Sequence, residues 1–192
     1  MTAALKFDLP DKQDWTVDDL ASLPKDLRYE LIDGRLILPS PTGIHQIFGM
    51  DVALALRAHC PAGYAPVTDL SLKINYRNEP RPDVVVIKKK FLRISPVPVE
   101  GTILAVEVVS PESHIRDKNK KKRIYAEAGV ESYWVIDPFV KEGVVLTEYA
   151  LGDAGIYELV STTDKVFTTE TPYPVTLDLP AFTAERDALD DD

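Results

Sequence analysis

Cysteine is nearly missing from this chain of 192 residues. Cys60 stands alone, so no disulfide can form within the chain, and a core-stabilised fold in a reducing cytoplasm is the expectation. Histidine is almost as scarce: His45, His59 and His114 are scattered. That pattern, with no cysteine pairs, argues against a zinc module or a histidine-rich metal site. No apolar run approaches the roughly 20 residues of a membrane span. The opening MTAALKFDLPDKQDW has no basic start followed by a long apolar stretch, so no secretion signal is read there. No internal repeat and no linker divides the sequence. What remains is 45% hydrophobic and 28% charged, which suits one globular domain over 1–192 with a full core.

Positive charge is also in deficit, with a formal net of -9. Taken as a sum, this counts mildly against nucleic-acid binding, where phosphate attraction dominates affinity. The distribution says more than the sum. Segments 88–93 (KKKFLR) and 116–123 (RDKNKKKR) hold 10 of the 22 basic residues, while the tail 185–192 (ERDALDDD) holds five acids against one arginine. Local positive patches can coexist with an acidic whole, although a lysine run is also what an ordinary solvated face looks like.

Periodicity and breakers place the elements. TVDDLASLP (16–24) reads as a short capped helix, and RYELIDGRLILPS (28–40) as two strands about an Asp33-Gly34 turn. Residues 43–59 carry apolar positions at helical spacing, closed by Pro61 and Gly63. LSLKINY (70–76) alternates like a half-buried strand. DVVVIK (83–88) and TILAVEVVS (102–110) read as apolar strands, the latter covered on both faces. Residues 117–128 read as a helix closed by Gly129, and ESYWVID (131–137) as a strand. Several short β segments over 143–179 read as decoration outside the central sheet, and AFTAERDAL as a short terminal helix. The fold class is α/β: a central mixed sheet flanked by helices, with additional β segments toward both termini.

Glu107 is the anomaly. It sits in the apolar run LAVEVV, on the strand face shared with Ala105 and Val109. A carboxylate there is costly unless paired, protonated or bound to a cation. If the strands 83–88 and 102–110 are neighbours, Asp83 and Glu107 converge at one sheet edge, and two hard oxygen donors with room for water suit Mg²⁺ or Mn²⁺. On the following helix the apolar stripe through Ile124, Tyr125 and Ala128 continues backward to Lys121, with Lys120 next and Lys118, Lys122 and Arg123 further round. A lysine beside such a site can orient or deprotonate water, or neutralise a phosphoryl transition state. Two other readings stay open at this level: Asp83 as a loop cap, and Glu107 in a structural ion pair with an arginine.

Several pieces in order and spacing, YELIDG (29–34), His45, RPDVVVI (81–87), LAVEVVSP (104–111), Asp117-x-x-x-Lys121-x-x-x-Tyr125 and AGV-x-x-YWVIDP (128–138), resemble the Uma-type restriction endonuclease family of the PD-(D/E)XK nuclease superfamily. The resemblance spans about residues 14–180. It implies a restriction-endonuclease-like core and a divalent-metal endonuclease acting on DNA, with Asp83 as the acid of the PD motif and Glu107 as the acid of the E-x-K motif. Val109 stands where that motif has lysine, and Lys121 matches a lysine relocated to the helix. Glu30 matches an early acidic position that in related nucleases completes the metal shell. The site implied is thus Glu30, Asp83, Glu107 and Lys121, with metal on the three acids. The superfamily also makes a homodimer an expectation, since two sites suit the two strands of a duplex. His45 at a helix start reads as a capping or surface residue, Tyr125 as packing or positioning, Tyr133 and Trp134 as core, Asp137 as the cap of the turn at Pro138, and Ser110-Pro111 as the strand end. The alternative function is a catalytically idle nuclease fold serving as a binding or regulatory module, and a structural interaction domain is the third; metal binding separates the first two, and a cleft at Asp83 and Glu107 excludes the third.

Overall fold

The strands alternate so strictly that the chain must bury two faces. Val84, Val86, Leu104, Val106 and Val108 enter one apolar cluster with Phe48, Val52 and Leu56, while Val85, Ile87 and Ala105 enter another with Tyr125 and Ala126. Such a period-2 pattern, apolar on both sides, requires helices above and below the sheet. The computed structural model describes residues 12–24, 27–110 and 116–189, with backbone alone for 116–118. In chain order the elements are α1 (Val17–Leu20), β1 (Glu30–Ile32), β2 (Arg35–Ile37), α2 (Gly43–Ala58), β3 (Tyr64–Thr68), β4 (Leu72–Lys73), β5 (Val84–Lys88), β6 (Val97–Pro98), β7 (Thr102–Val108), α3 (Arg116–Glu127), β8 (Ser132–Asp137), β9 (Val145–Leu151), β10 (Tyr157–Thr163), β11 (Val166–Thr169), β12 (Val175–Asp178) and α4 (Leu179–Ala188).

The central sheet has six strands in the order β10-β9-β8-β7-β5-β3. All neighbours are antiparallel except β7 and β8, which α3 joins as a parallel pair. The α/β class with a central mixed sheet is therefore present. On one face α2 packs its Phe48 against Phe182 of α4, ring centroids 5.0 Å apart; on the other, α3 lays Tyr125 against Tyr133 at 5.5 Å. Burying side chains of this size contributes about 1.5–3 kcal/mol each, so the two clusters fix where both helices must lie. Tyr133 and Trp134 are core residues as expected, both fully buried.

Three expectations need correction. First, β9 and β10 are not decoration: they extend the central sheet on the far side of β8. Second, of residues 70–76 only β4 is strand, and it pairs in parallel with β6. Asn75 and Asn78 turn the chain there, their side chains accepting from Arg77 N and Asp33 N and so replacing ladder partners. Third, β3 forms a strand where none was expected, because Pro66 is a poor strand signal; it is tolerated since β3 is the outer edge of the sheet. Pro111, His114, the side chains of Asp117 and Lys118, and tail residues 190–192 lie outside the described residues. Among the described residues no helix is long and apolar enough to cross a membrane.

The β1–β2 hairpin is the expected Asp33-Gly34 turn, with φ of 50° and 77° at its two central residues, the double positive φ of a two-residue hairpin turn. The tip is crowded: a Cβ on Gly34 would stand 2.5 Å from the Arg77 guanidinium. Backbone bonds then stitch the hairpin onward, Leu31 and Glu79 exchanging N–H···O contacts of 3.1 and 2.9 Å. Gly34→Ala should lose roughly 1–3 kcal/mol of stability through strain and crowding together, measured by urea unfolding; an unchanged midpoint would show that the turn relaxes without cost.

Candidate active site

Asp83 immediately precedes β5 and Glu107 lies on β7. The two strands pair with Val84 opposite Val106, so the neighbouring strands supposed from sequence are real and the acids arrive at the same end of the sheet. Glu30 comes by a different route. The Leu31–Glu79 stitch draws β1 beside the segment leading to β5, and Arg81 N donates to Glu30 Oε1 at 2.8 Å. Lys121 points inward from α3, continuing the stripe of Ile124 and Tyr125. Its Nζ donates to Glu30 Oε1 at 2.7 Å and to Glu107 Oε2 at 2.9 Å. Arg116 to Arg123 thus divides its bases: Lys121 is buried, Lys122 lies over the Tyr149 ring at 3.7 Å, and Arg123 pairs outside with Asp33 and Glu127. Glu30, Asp83, Glu107 and Lys121 line one cavity of about 260 Å³, together with His45, Val108 and Ser110.

Each acid is held from behind. Tyr125 OH donates to Glu107 Oε1 at 2.8 Å, so Tyr125 positions Glu107 as well as packing. Asp83 Oδ2 accepts from Val108 N at 2.7 Å. His45 is neither the cap nor the surface residue expected at a helix start. It is buried, and its Nε2 lies 3.0 Å from the Val108 carbonyl oxygen and 3.2 Å from Asp83 Oδ2. A carbonyl only accepts, so Nε2 carries the proton and serves both acceptors. The sequence signal was available: His45 sits on the helical stripe of Ile44, Phe48 and Val52, facing the core. Its Nδ1 is buried with no partner among the described residues. The Asp137 cap is present, accepting from Phe139 N at 3.0 Å.

The electrostatics follow from three carboxylates around one ammonium. Burial pushes the Glu107 carboxyl up to about 8, with Asp83 and Glu30 adding to the rise and Lys121 opposing it. Burial also works against the charged form of Lys121, but Glu107, Glu30 and Asp83 together outweigh it, and its pKa stands well above the ordinary lysine value. Lys121 is therefore an ammonium in the metal-free site: it donates hydrogen bonds and has no lone pair to take a proton from water. For His45, burial favours the neutral ring, and the hydrogen bond and charge of Asp83 more than reverse that, raising its pKa. Burial and the nearby Glu107 keep Tyr125 a phenol, its pKa raised well above the ordinary value.

The donor set fits a hard divalent cation. All the candidate ligands are carboxylate oxygens, and neither Asp83 Oδ1 nor Glu30 Oε2 has a hydrogen-bond partner among the described residues. As arranged, no three His, Cys, Asp or Glu side chains among the described residues form a cluster able to hold a metal unaided. Lys121 occupies the space between two of the acids. Mg²⁺ typically takes one or two carboxylates and fills its shell with waters and substrate phosphate, which matches an incomplete protein cage.

Two substitutions should affect stability unequally without metal. Lys121→Met removes the only cation between buried carboxylates and should lose about 3 kcal/mol near neutral pH. Glu107→Gln keeps an acceptor for Tyr125, replaces a carboxyl that burial already holds largely protonated near neutral pH, and leaves Lys121 paired with Glu30, so it should leave stability close to that of the wild type. Urea unfolding in a chelator measures both; equal losses would mean that the Glu107–Lys121 pair is a net stabilising contact.

The family model Uma2, described as "Putative restriction endonuclease", matches residues 17–183. Among solved structures, a "putative nuclease belonging to DUF820" from Anabaena variabilis superposes with a TM-score of 0.71 at 16% identity, covering 89% of this chain and 98% of that one; at that identity the likeness speaks to the fold. No match is found among curated proteins. With a model match that takes in β1, β5, β7 and α3, the chain belongs to the Uma2 family, and it shares its fold with the DUF820 protein.

Proposed function

We propose that this protein is a Mg²⁺- or Mn²⁺-dependent endonuclease that hydrolyses phosphodiester bonds of DNA. The observation that carries the reading is the meeting of Asp83, Glu30, Glu107 and Lys121, from four separate elements or loops, in one cavity. A structural ion pair needs one acid and one base; three acids crowded on one lysine raise the site's own energy and make sense where a cation and a phosphate complete it.

Asp83 and Glu107 would hold the metal, with Glu30 completing its shell directly or through water. When bound, the cation would supply neutralisation of the phosphate and acidification of the attacking water. The chain does the rest. Val108 N and His45 Nε2 fix Asp83 Oδ2, leaving Oδ1 turned to other partners. Tyr125 fixes Glu107 from below. Lys121 has its ammonium positioned to meet phosphoryl oxygens and to hold a water by hydrogen bonding, stabilising charge that grows in the transition state. A homodimer would serve the two strands of a duplex. The occupation of Glu30 and Glu107 by Lys121 also favours a second reading, an idle nuclease fold that binds without cutting, and cleavage decides between them.

Incubation with supercoiled DNA and Mn²⁺ or Mg²⁺ should give nicked and linear products. Asp83→Ala and Glu107→Ala should each reduce the rate on the order of a thousandfold. His45→Ala, which removes a partner of Asp83 and not a ligand, should cost about 10–100-fold in metal affinity. Metal binding with no cleavage by the wild type would support the idle module instead.

A further inference from the structure

The same cavity has a second charged group that the proposed chemistry does not use. Arg28 precedes β1, Asp69 follows β3 and Arg81 precedes Asp83; all three line the cavity wall. Arg28 Nη1 lies 2.7 Å from Asp69 Oδ2. Arg81 Nη1 lies 3.6 Å from Asp69 Oδ1 and donates to the Asp69 carbonyl at 2.8 Å. One carboxylate thus faces two guanidiniums, and the buried Arg81 Nε has no partner among the described residues. Asp69 is held in place for this: it has φ of 53°, a left-handed conformation that aspartate tolerates better than most residues, and its N–H donates to the Asp83 carbonyl at 3.1 Å.

Stability does not explain the arrangement. The Arg28 side chain is 64% exposed, and an ion pair so placed contributes little to stability. Arg81 already anchors the loop through the Asp69 carbonyl, with no need of Arg28. A guanidinium fork grips a carboxylate and a phosphate with the same geometry. Lys121 is taken up by Glu30 and Glu107, so Arg28 and Arg81 are the cationic groups of the cavity that stand outside the carboxylate centre.

We propose that Arg28 and Arg81 grip a backbone phosphate of the DNA strand flanking the one that is cut, and that in the free protein the Asp69 carboxylate occupies that phosphate's place. This rests on the nuclease reading and gives it a substrate-binding subsite distinct from the carboxylate centre. The apolar rim of Leu38, Pro39, Pro41 and Met50 beside it would lie against sugar and base.

The test is binding of fluorescently labelled DNA, duplex and single-stranded, by anisotropy over a range of NaCl, with Ca²⁺ in place of Mg²⁺ to keep the DNA whole. Arg28→Ala should weaken binding several-fold and flatten the slope of log K against log salt by about 0.9 for duplex or 0.7 for single strand, the loss of one phosphate contact. Asp69→Asn keeps the backbone conformation and removes the competing carboxylate, so it should tighten binding. Lys165→Ala, on an exposed and remote turn, should change neither. Opposite signs for Arg28→Ala and Asp69→Asn are the signature of competition, and a merely structural ion pair would give the same sign in both. Equal losses, or an Arg28→Ala slope matching the wild type or the Lys165→Ala control, would overturn the subsite while leaving the nuclease reading standing. Wild type that binds Ca²⁺ but no DNA would overturn both.

Discussion

Lys121 is the point on which the site's construction turns. Its ammonium reaches inward from α3, the side chain only 12% exposed, and is bonded to Glu30 and Glu107 at once. Taking such a group out of water costs several kcal/mol, and its two partners recover that only because they are ionisable, close and rigidly presented. Removing the lysine would leave a strand carboxylate in an apolar sheet; removing both acids would leave a stranded cation. The α3 helix, the β7 strand and the β1–β2 hairpin are therefore tied to one another through charge as well as through packing.

That constraint explains why so much of the surrounding structure is devoted to fixing side chains in place. Tyr125 serves two masters, filling the cluster with Tyr133 and donating to Glu107. Val108 contributes its N–H to Asp83 and its carbonyl to His45, so one residue of β7 sets both the acid and the histidine behind it. Arg81 supports Glu30 with its backbone and Asp69 with its side chain. Carboxylates elsewhere are satisfied quite differently: buried Glu148 accepts from Ser161 and Thr169, and buried Glu79 from Ser71 and Tyr29. Those are neutral donors around single acids. Among the described residues, only at the Lys121 centre are several acids pressed together, the arrangement that natural folds tolerate where chemistry requires it.

Much of this was legible before any coordinates. Glu107 stands out because an apolar run makes a lone acid conspicuous, and Lys121 because helical spacing projects the Ile124–Tyr125 stripe back to it. The Asp33-Gly34 turn is local chemistry and declares itself. What stayed hidden depends on contacts far apart in sequence. His45 reaches Val108 across 63 positions, and nothing near position 45 announces it, although its place on the buried stripe of α2 was a usable hint. Asp69 and Arg28 are ordinary loop residues until the fold brings them together. The strand β3 was masked by Pro66, whose penalty vanishes at a sheet edge, and β9 and β10 looked peripheral because strand order is a property of the whole sheet.

The proposed chemistry would have a divalent cation share the place that Lys121 holds between the acids. Crystals grown without metal and then soaked in Mn²⁺ would locate that cation by its anomalous scattering. A peak about 2.0–2.2 Å from oxygens of both Asp83 and Glu107, with Lys121 drawn off Glu107, is the result expected of the proposed metal-dependent nuclease. No peak at the centre, with Lys121 still bridging Glu30 and Glu107 at saturating Mn²⁺, would mean that the ammonium is the site's permanent cation and that the cluster is structural.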